Sequence, residues 1–268
     1  MKNMDIISPQ NARVKEWAQL LEKKHRDRQQ RYLVEGIHLV QEALKAEAEI
    51  EVIAYSVDHG IPSELAQAGA GKLSVEWVGV SEAVIAKCSD TKSPQPVFAV
   101  IRKHRSSWEA LIEQDNGLVV VLDGVQDPGN VGTIIRTADA AGASAVIVGP
   151  GCADIYNPKT LRSTMGSIFH LPVIEVDLTE ILPKAKEKGI RLAGTSLQAA
   201  RICYEYDFRG PTWLLFGSEA SGLSAPVQAE LDDALIIPMK GHAESLNVAM
   251  AASILLYEAL RQREFSGR

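Results

Sequence analysis

Three polar, glycine-rich turns are the parts of this sequence whose residue types could carry chemistry. Each turn follows a run of apolar residues that predicts a buried strand. Sites in parallel α/β sheets lie beyond the carboxyl ends of the strands, so three such turns can converge on one pocket. The turns are DGVQDPGNVGTIIR at 123–136, FGSEASGLS at 216–224 and IPMKGHAESLN at 237–247.

Several common cofactor and nucleophile motifs are absent from the sequence. The glycines of the first turn, Gly124, Gly129 and Gly132, do not have the G-x-G-x-x-G spacing of a dinucleotide site, and no G-x4-G-K-[ST] phosphate loop occurs. The six histidines never occur as H-x3-H or H-E-x-x-H, so the sequence indicates no metal site. The second turn also lacks the G-x-S-x-G spacing of a serine nucleophile.

The elements that must position these turns follow from the apolar pattern. Strands apolar on both faces predict a parallel sheet covered by helices. The helix after the first strand is predicted at 130–142, and the strands are predicted at 118–122, 145–148, 191–195, 213–216 and 234–237.

The N-terminal part predicts a smaller α/β unit. Apolar residues at helical spacing predict one helix over 10–26, a second over 36–46 and a third over 81–88. Strands are predicted at 31–34, 51–55, 73–78 and 97–101. The polar and basic stretch 103–107 predicts the domain boundary near residue 105.

The composition excludes several classes of protein. With 46% apolar and 23% charged residues the chain is typical of a globular protein, and its apolar runs are too short to span a bilayer. The polar N-terminus does not resemble a secretory signal. Cys88, Cys152 and Cys203 are widely spaced and odd in number, which favours reduced thiols in a cytoplasmic protein over a disulfide framework.

The charge distribution bears on nucleic-acid binding. The net charge of −6 argues against a polyanionic partner, but it divides into +1 for residues 1–107 and −7 for residues 108–268. Basic residues cluster at Lys23, Lys24, Arg26, Arg28 and Arg31. This cluster is either the solvated end of a helix or a patch for phosphates.

The last predicted helix, 246–263, is apolar nearly all round. Met250, Ile254 and Tyr257 form a second apolar face away from the first. A helix of this kind is buried on both sides. Either another part of the chain or a second subunit covers the second face, and we favour a dimer interface.

The three turns, in this order, resemble the motifs of the SpoU (TrmH) family of RNA ribose 2′-O-methyltransferases, within the SPOUT superfamily. The residues that carry the resemblance are PGNVGTIIRTADAAG at 128–142, FGSEASGLS at 216–224, and IPM with SLNVAMAA within 237–252. The segment YLVEGIHLVQEAL at 32–44 resembles the family's substrate-binding domain, which is similar to ribosomal protein L30e.

The resemblance implies an α/β protein with an L30e-like domain at 1–105 and a parallel-sheet SPOUT domain at 106–268 that ends in a trefoil knot. It also implies S-adenosylmethionine as cofactor and an active site at a homodimer interface. By position, the cofactor pocket is expected to be lined by Thr195, Leu197, Gly217, Ile237, Met239 and Leu246.

The resemblance also assigns the polar residues. Arg136 corresponds to the catalytic arginine, and the surrounding polar residues are Asn130, Glu219, Ser245 and Asn247. Each has an alternative role: Arg136 could pair with Asp139 on a helix face, Asn130 could cap the helix after Gly129, and Ser245 or Asn247 could cap the last helix. Glu219 could be a solvated loop carboxylate.

The sequence therefore predicts an S-adenosylmethionine-dependent methyltransferase that acts on structured RNA, most readily 23S ribosomal RNA. Transfer RNA is the alternative substrate, and a non-catalytic RNA-binding protein of the same fold is the alternative function. No metal or membrane partner is expected. RNA phosphates are expected to contact Lys23, Lys24, Arg26, Arg28, Arg31 and Arg162.

Overall fold

The computed structural model describes residues 5–69, 75–103, 107–113 and 117–265, and the chain divides into two compact units. The N-terminal unit comprises Met1–His104 and Asp154–Phe169, and the C-terminal unit comprises Arg105–Ala153 and His170–Arg268. The predicted boundary near residue 105 and the start of the predicted strand 73–78 lie outside the described residues. The units differ from the predicted domains because residues 154–169 group with the N-terminal part.

The described part of the N-terminal unit contains a four-stranded sheet with the strand order β1-β4-β2-β3. Strands β1 and β2 run antiparallel to β4, and β2 runs parallel to β3. The strands are β1 Arg31–Glu35, β2 Ile50–Ser56, β3 Glu76–Val80 and β4 Val97–Arg102.

Apolar residues cover both faces of this sheet. Because successive strand residues point to opposite faces, Leu33 packs in the cluster around Trp17, and Tyr32 and Val34 pack in the cluster around Leu44. The helices are α1 Ala12–Gln19, α2 Lys23–Gln29, α3 Ile37–Lys45, α4 Ser63–Ala68, α5 Glu82–Lys87 and, in the later segment, α8 Pro158–Thr164 with a 3₁₀ turn at Ser167–Phe169.

The helix predicted over 10–26 is two helices, so that prediction was wrong. α1 ends at Gln19 and α2 begins at Lys23. The guanidinium of Arg26 donates hydrogen bonds of 2.7 Å to the carbonyls of Leu20 and Leu21, which lie in the break. A buried cation therefore satisfies carbonyls that a continuous helix would bond internally.

The described part of the C-terminal unit contains a seven-stranded sheet with the order β7-β6-β5-β10-β8-β11-β9, and all neighbouring strands run parallel. The predicted parallel α/β architecture is confirmed. The strands are β5 Leu118–Asp123, β6 Ala145–Val148, β7 Val173–Glu175, β8 Arg191–Thr195, β9 Arg201–Ile202, β10 Thr212–Gly217 and β11 Asp233–Ile236.

Helices pack around this sheet. Leu178, Ile181 and Val227 join Val119 and Trp213 in one buried cluster. The helices are α6 Glu109–Ile112, α7 Pro128–Ala140, α9 Leu178–Glu187, α10 Ala225–Glu230 and α11 Val248–Glu264, and a 3₁₀ turn spans Cys203–Glu205. Helices α7 and α11 pack against each other. No helix in the described ranges is long and apolar enough to cross a membrane.

Candidate active site

The three polar turns lie at the same edge of the C-terminal sheet. Strands β5 and β10 are parallel neighbours and end in register, with Asp123 opposite Gly217. Strand β8 is the next neighbour of β10, and β11 follows β8. Because carboxyl ends of parallel strands share one edge, the turns after β5, β10 and β11 converge there, as the sequence predicted.

The first turn leads directly into α7. Asp127 caps this helix: its Oδ1 atom accepts a 2.9 Å hydrogen bond from the backbone N–H of Asn130. Pro128 occupies the first helical position, where its missing N–H costs nothing. The alternative role of Asn130 as the helix cap is therefore wrong, and its side chain is available for other contacts.

Asn130 joins residues from all three turns in one hydrogen-bonded chain. Its Nδ2 atom donates to Oε1 of Glu219 at 2.5 Å. Its Oδ1 atom accepts from Nδ2 of Asn247 at 3.1 Å. These two bonds fix the orientation of the Asn130 amide, because the donor and acceptor ends have different partners. Three of the five expected polar residues are thus brought together; we call Asn130, Glu219 and Asn247 the amide–carboxylate chain.

Asn247 has two roles at once. Its Oδ1 atom caps α11 by accepting from the N–H of Ala249 at 2.9 Å and of Met250 at 3.4 Å, while its amide nitrogen donates to Asn130. Its capping role therefore coexists with its contact in the site. Ser245 is exposed in the same turn and forms no hydrogen bond within the described part of the chain.

Arg136 is an exposed residue of α7. Within the described residues its guanidinium forms no ion pair or side-chain hydrogen bond. Asp139, the partner in the alternative interpretation, instead contacts Nδ1 of His170 at 2.8 Å. The predicted alternative pair is therefore not formed, and the cation of Arg136 is available to a ligand.

The residues expected to line the cofactor pocket follow three adjacent strands. Thr195 ends β8 and Gly217 ends β10, while Ile237 and Met239 follow β11. Ile237 and Met239 are half-buried, and the side chains of Leu197 and Leu246 are exposed. Apolar side chains open to solvent at strand ends fit a ligand with a large apolar part, such as an adenosine group.

The backbone around Gly217 leaves no room for a side chain at this position. A Cβ atom at this position would lie 2.1 Å from the carbonyl carbon of Gly222 and 2.2 Å from the backbone nitrogen of Leu223. The segment closes on itself, because Ser218 and Gly222 exchange backbone hydrogen bonds of 3.0 and 2.8 Å. The missing side chain of Gly217 therefore lets the loop that carries Glu219 fold back on β10.

Asp123 is a positioning residue that the sequence analysis did not single out. Its carboxylate is buried at the end of β5 and accepts a 2.6 Å hydrogen bond from the backbone N–H of Ser224. This bond links the end of the second turn to β5, the strand that precedes the first turn. An acidic residue ending an otherwise apolar strand was the available signal, because a buried charge requires partners.

Cys152 lies near the first turn but is not a reactive thiol. Its Sγ atom is 3.3 Å from the N–H of Val125 and 3.4 Å from the carbonyl of Leu122. Burial raises the pKa of the Cys152 thiol to about 11, so the thiolate is scarce at neutral pH.

Among the described residues no group of His, Cys, Asp or Glu side chains could hold a metal ion.

The expected RNA-contacting residues lie in the N-terminal unit and differ in availability. Lys23, Lys24 and Arg28 are exposed on α2. Arg31 is half-buried and forms ion pairs with two glutamates, one of which is Glu51 at 3.0 Å. Lys24, with no hydrogen bond or ion pair in the described residues, is the most available cation of the cluster.

Arg26 and Arg162, like Arg31, have carboxylate partners within the N-terminal unit. Arg26 is only 2% exposed and forms an ion pair with Asp154 at 2.5 Å, so the expectation that it contacts RNA is corrected. It holds the break after α1 instead. Arg162 is half-buried and its guanidinium contacts Asp90 at 2.5 and 3.2 Å. A phosphate at Arg162 would therefore compete with a carboxylate.

Family models match both parts of the chain. Residues 117–257 match the SpoU rRNA methylase family. Residues 11–99 match the MRM3-like substrate-binding domain. The first match includes all three polar turns and the amide–carboxylate chain.

Individual proteins are similar over nearly the full length. The chain is 38% identical to the 23S rRNA (guanosine(2553)-2′-O)-methyltransferase RlmP of Bacillus subtilis, over 94% of this chain and 97% of the relative. It is 33% identical to a 23S rRNA (uridine(2479)-2′-O)-methyltransferase of Streptomyces viridochromogenes, over 98% and 93%. The solved AdoMet-bound rRNA methyltransferase of Sinorhizobium meliloti superposes with a TM-score of 0.88 at 32% identity, covering 97% of this chain and 98% of that one.

Proposed function

Because the chain belongs to the SpoU rRNA methylase family, we propose that it transfers the methyl group of S-adenosylmethionine to a ribose 2′-hydroxyl of 23S ribosomal RNA. The observation that carries the proposal is the convergence of Asn130, Glu219 and Asn247 from three turns. Arg136 lies on the same helix as Asn130, and its guanidinium has no ion-pair partner among the described residues. The similar proteins from Bacillus subtilis and Streptomyces viridochromogenes are named 23S rRNA 2′-O-methyltransferases.

Three strand ends supply the cofactor site in this proposal. Gly217 and Thr195 would hold the cofactor through backbone groups, and the side chains of Leu197, Met239 and Leu246 would supply apolar contacts. When bound, S-adenosylmethionine supplies an electrophilic methyl group. The protein's own contribution is to hold the ribose hydroxyl in line with that group and to exclude water, since orientation alone can provide much of the acceleration.

Arg136 acts as a cation toward the RNA. A guanidinium has a pKa above about 12, so it is a poor base. It binds a phosphate of the substrate and stabilises the negative charge that develops on the 2′-oxygen as its proton leaves to phosphate or water. Arg136 forms no ion pair with any residue that the structure describes, which supports this role, because no such pair has to be broken before RNA binds.

We further propose that two copies of the chain form the active enzyme in the cytoplasm. Met250 and Tyr257 lie on α11 and are 49% and 52% exposed, although Ala252, Leu255 and Leu256 of the same helix are fully buried. A second copy covering this face would bury apolar surface beside α7, which carries Arg136. We also propose that the C-terminal unit contains the trefoil knot expected for the family.

The RNA surface is proposed in the N-terminal unit. Lys24 and Arg28 are exposed there and carry positive charge on one short helix. Arg162 would join them once a phosphate displaces Asp90. Because such contacts release counterions, substrate binding is expected to weaken steeply as salt rises.

Transfer of tritium from methyl-labelled S-adenosylmethionine tests the proposal. Ribosomal RNA and transfer RNA from a strain that lacks the gene are offered separately, and each is also offered from the parent strain as an already modified control. Label in 23S rRNA from the deletion strain alone is the expected result. Label in transfer RNA alone would reassign the substrate, and no label in either would favour a non-catalytic RNA-binding protein.

A further inference from the structure

Asp139 and His170 form a polar contact close to Arg136 that the proposed mechanism does not use. Nδ1 of His170 lies 2.8 Å from Oδ2 of Asp139, and the two side chains are 38% and 28% exposed. Asp139 belongs to α7, whereas His170 lies just before β7. The histidine is therefore brought to this helix from a separate part of the chain.

The contact matters because Asp139 lies on the same helix as Arg136 and could pair with it. Residues three apart on a helix are neighbours, so Asp139 is within reach of the flexible side chain of Arg136. An Arg–carboxylate pair formed there would compete with an RNA phosphate for the same guanidinium. In the structure Asp139 is directed to His170 instead, and Arg136 has no partner within the described residues.

We propose that His170 is a positioning residue that keeps Asp139 from pairing with Arg136. The imidazole donates a hydrogen bond from Nδ1, and the carboxylate accepts it and is held away from the guanidinium. This inference rests on the proposed role of Arg136 in methyl transfer. It adds that the arginine stays available because a histidine outside the three motifs binds the neighbouring carboxylate.

A double-mutant cycle tests this inference. His170→Ala frees Asp139 to pair with Arg136, so we expect single-turnover methyl transfer to fall roughly 1.5- to fivefold, the factor that corresponds to the free energy of an exposed ion pair. Asp139→Asn removes the competing charge and should leave the rate near that of the wild type. The double variant His170→Ala with Asp139→Asn should recover the rate, because no carboxylate remains to compete.

A merely structural role of the contact gives a different pattern. If the bond only holds His170 and α7 together, Asp139→Asn would be as harmful as His170→Ala and the double variant would not recover; either result overturns the inference. Salt provides a second measurement, since screening weakens exposed ion pairs. The ratio of the double-variant rate to the His170→Ala rate should fall toward one as potassium chloride rises, and a constant ratio would contradict the inference.

Two controls separate this inference from the proposed function. The melting temperature and the affinity for S-adenosylhomocysteine of each variant show whether it folds and retains the cofactor site. Arg136→Ala is measured in the same assay. If Arg136→Ala lowers the rate but the cycle shows no recovery, only the role of His170 is overturned; full activity of Arg136→Ala would overturn the proposed role of the arginine and the inference with it.

Discussion

Asn130 is the side chain that links the three turns. Exchanging the amide of Asn130 and the carboxylate of Glu219 tests this link. Asn130→Asp places a second carboxylate against Glu219, so the donated hydrogen bond becomes a repulsion. We expect methyl transfer to fall by about tenfold or more, in line with a lost charge-assisted bond. Asn130→Asp combined with Glu219→Gln restores a donor–acceptor pair and should recover part of the rate, as measured by single-turnover kinetics. A double variant no better than Asn130→Asp would contradict this arrangement.

Arg136 gives the second prediction for a single residue. Arg136→Ala should lower methyl transfer by roughly a hundredfold to a thousandfold, the usual cost of removing a group that stabilises developing negative charge. Because Arg136 has no ion-pair partner in the described part of the chain, the melting temperature should stay within the error of the wild type. Arg209→Ala is the matched control, since Arg209 is exposed but pairs with Asp207 at 2.8 Å. Equal activity of the two variants would show that Arg136 is a surface charge only.

For individual residues, the sequence predicted that the motif residues converge but not which contacts each of them makes. Asn130 was recognisable from its motif, whereas its exclusion as a helix cap depends on Asp127 starting α7. Arg26 belongs to a basic cluster in the sequence, but its role depends on carbonyls in a helix break and on Asp154 far along the chain. Partners of that kind are set by tertiary packing and leave no local pattern.

The loop after β10 depends on its first glycine, and this gives a prediction for an element. In Gly217→Ala the new methyl group would collide with backbone at Gly222, which cannot move as a side-chain end can. We expect the loop carrying Glu219 to shift, the melting temperature to fall by several degrees and the affinity for S-adenosylhomocysteine to drop, as measured by calorimetry. Gly210→Ala is the control, because nothing lies within 4 Å of a Cβ at that position. Similar losses in both variants would contradict the packing argument.

Predictability differed between elements for physical reasons. Strands β5, β6, β8 and β10 have four to six residues with a buried centre, and they were predicted close to their observed bounds. Strands β7 and β9 have only three and two residues, which is too short for any period to be read. The grouping of residues 154–169 with the N-terminal unit depends on packing of Leu161 in that core, which local sequence does not indicate.

For the whole molecule, the exposed face of α11 predicts dissociation of the proposed dimer. Tyr257→Glu places a charge in the apolar contact, so the protein should elute as a monomer in light-scattering chromatography and lose most of its activity. Tyr204→Glu is the matched control, because Tyr204 is 53% exposed and Tyr257 is 52% exposed. A wild-type chain that is monomeric at micromolar concentration would contradict the proposal.

The buried thiols predict how the whole protein responds to alkaline pH. Burial raises the pKa of Cys152 to about 11 and that of Cys88 to about 12, from an ordinary value of 9.0. Unfolding lets these thiols ionise more easily, so their contribution to stability is present below pH 9 and is lost as the pH rises from about 9 to 11. Denaturant melts from pH 8 to 10.5 should show this fall, and Cys88→Ala should reduce it; an unchanged slope in that variant would contradict the assignment.

Nucleoside mass spectrometry of 23S rRNA measures the central claim most directly. Ribosomal RNA from a strain lacking the gene is incubated with S-adenosylmethionine and either the wild-type protein or Arg136→Ala, and is then digested to nucleosides. The wild-type protein should produce a single new nucleoside methylated on the ribose 2′-oxygen, and the variant should produce almost none. A methyl group on a base, or equal ribose methylation by both proteins, would contradict the claim that Arg136 and the three converging turns carry out ribose methylation.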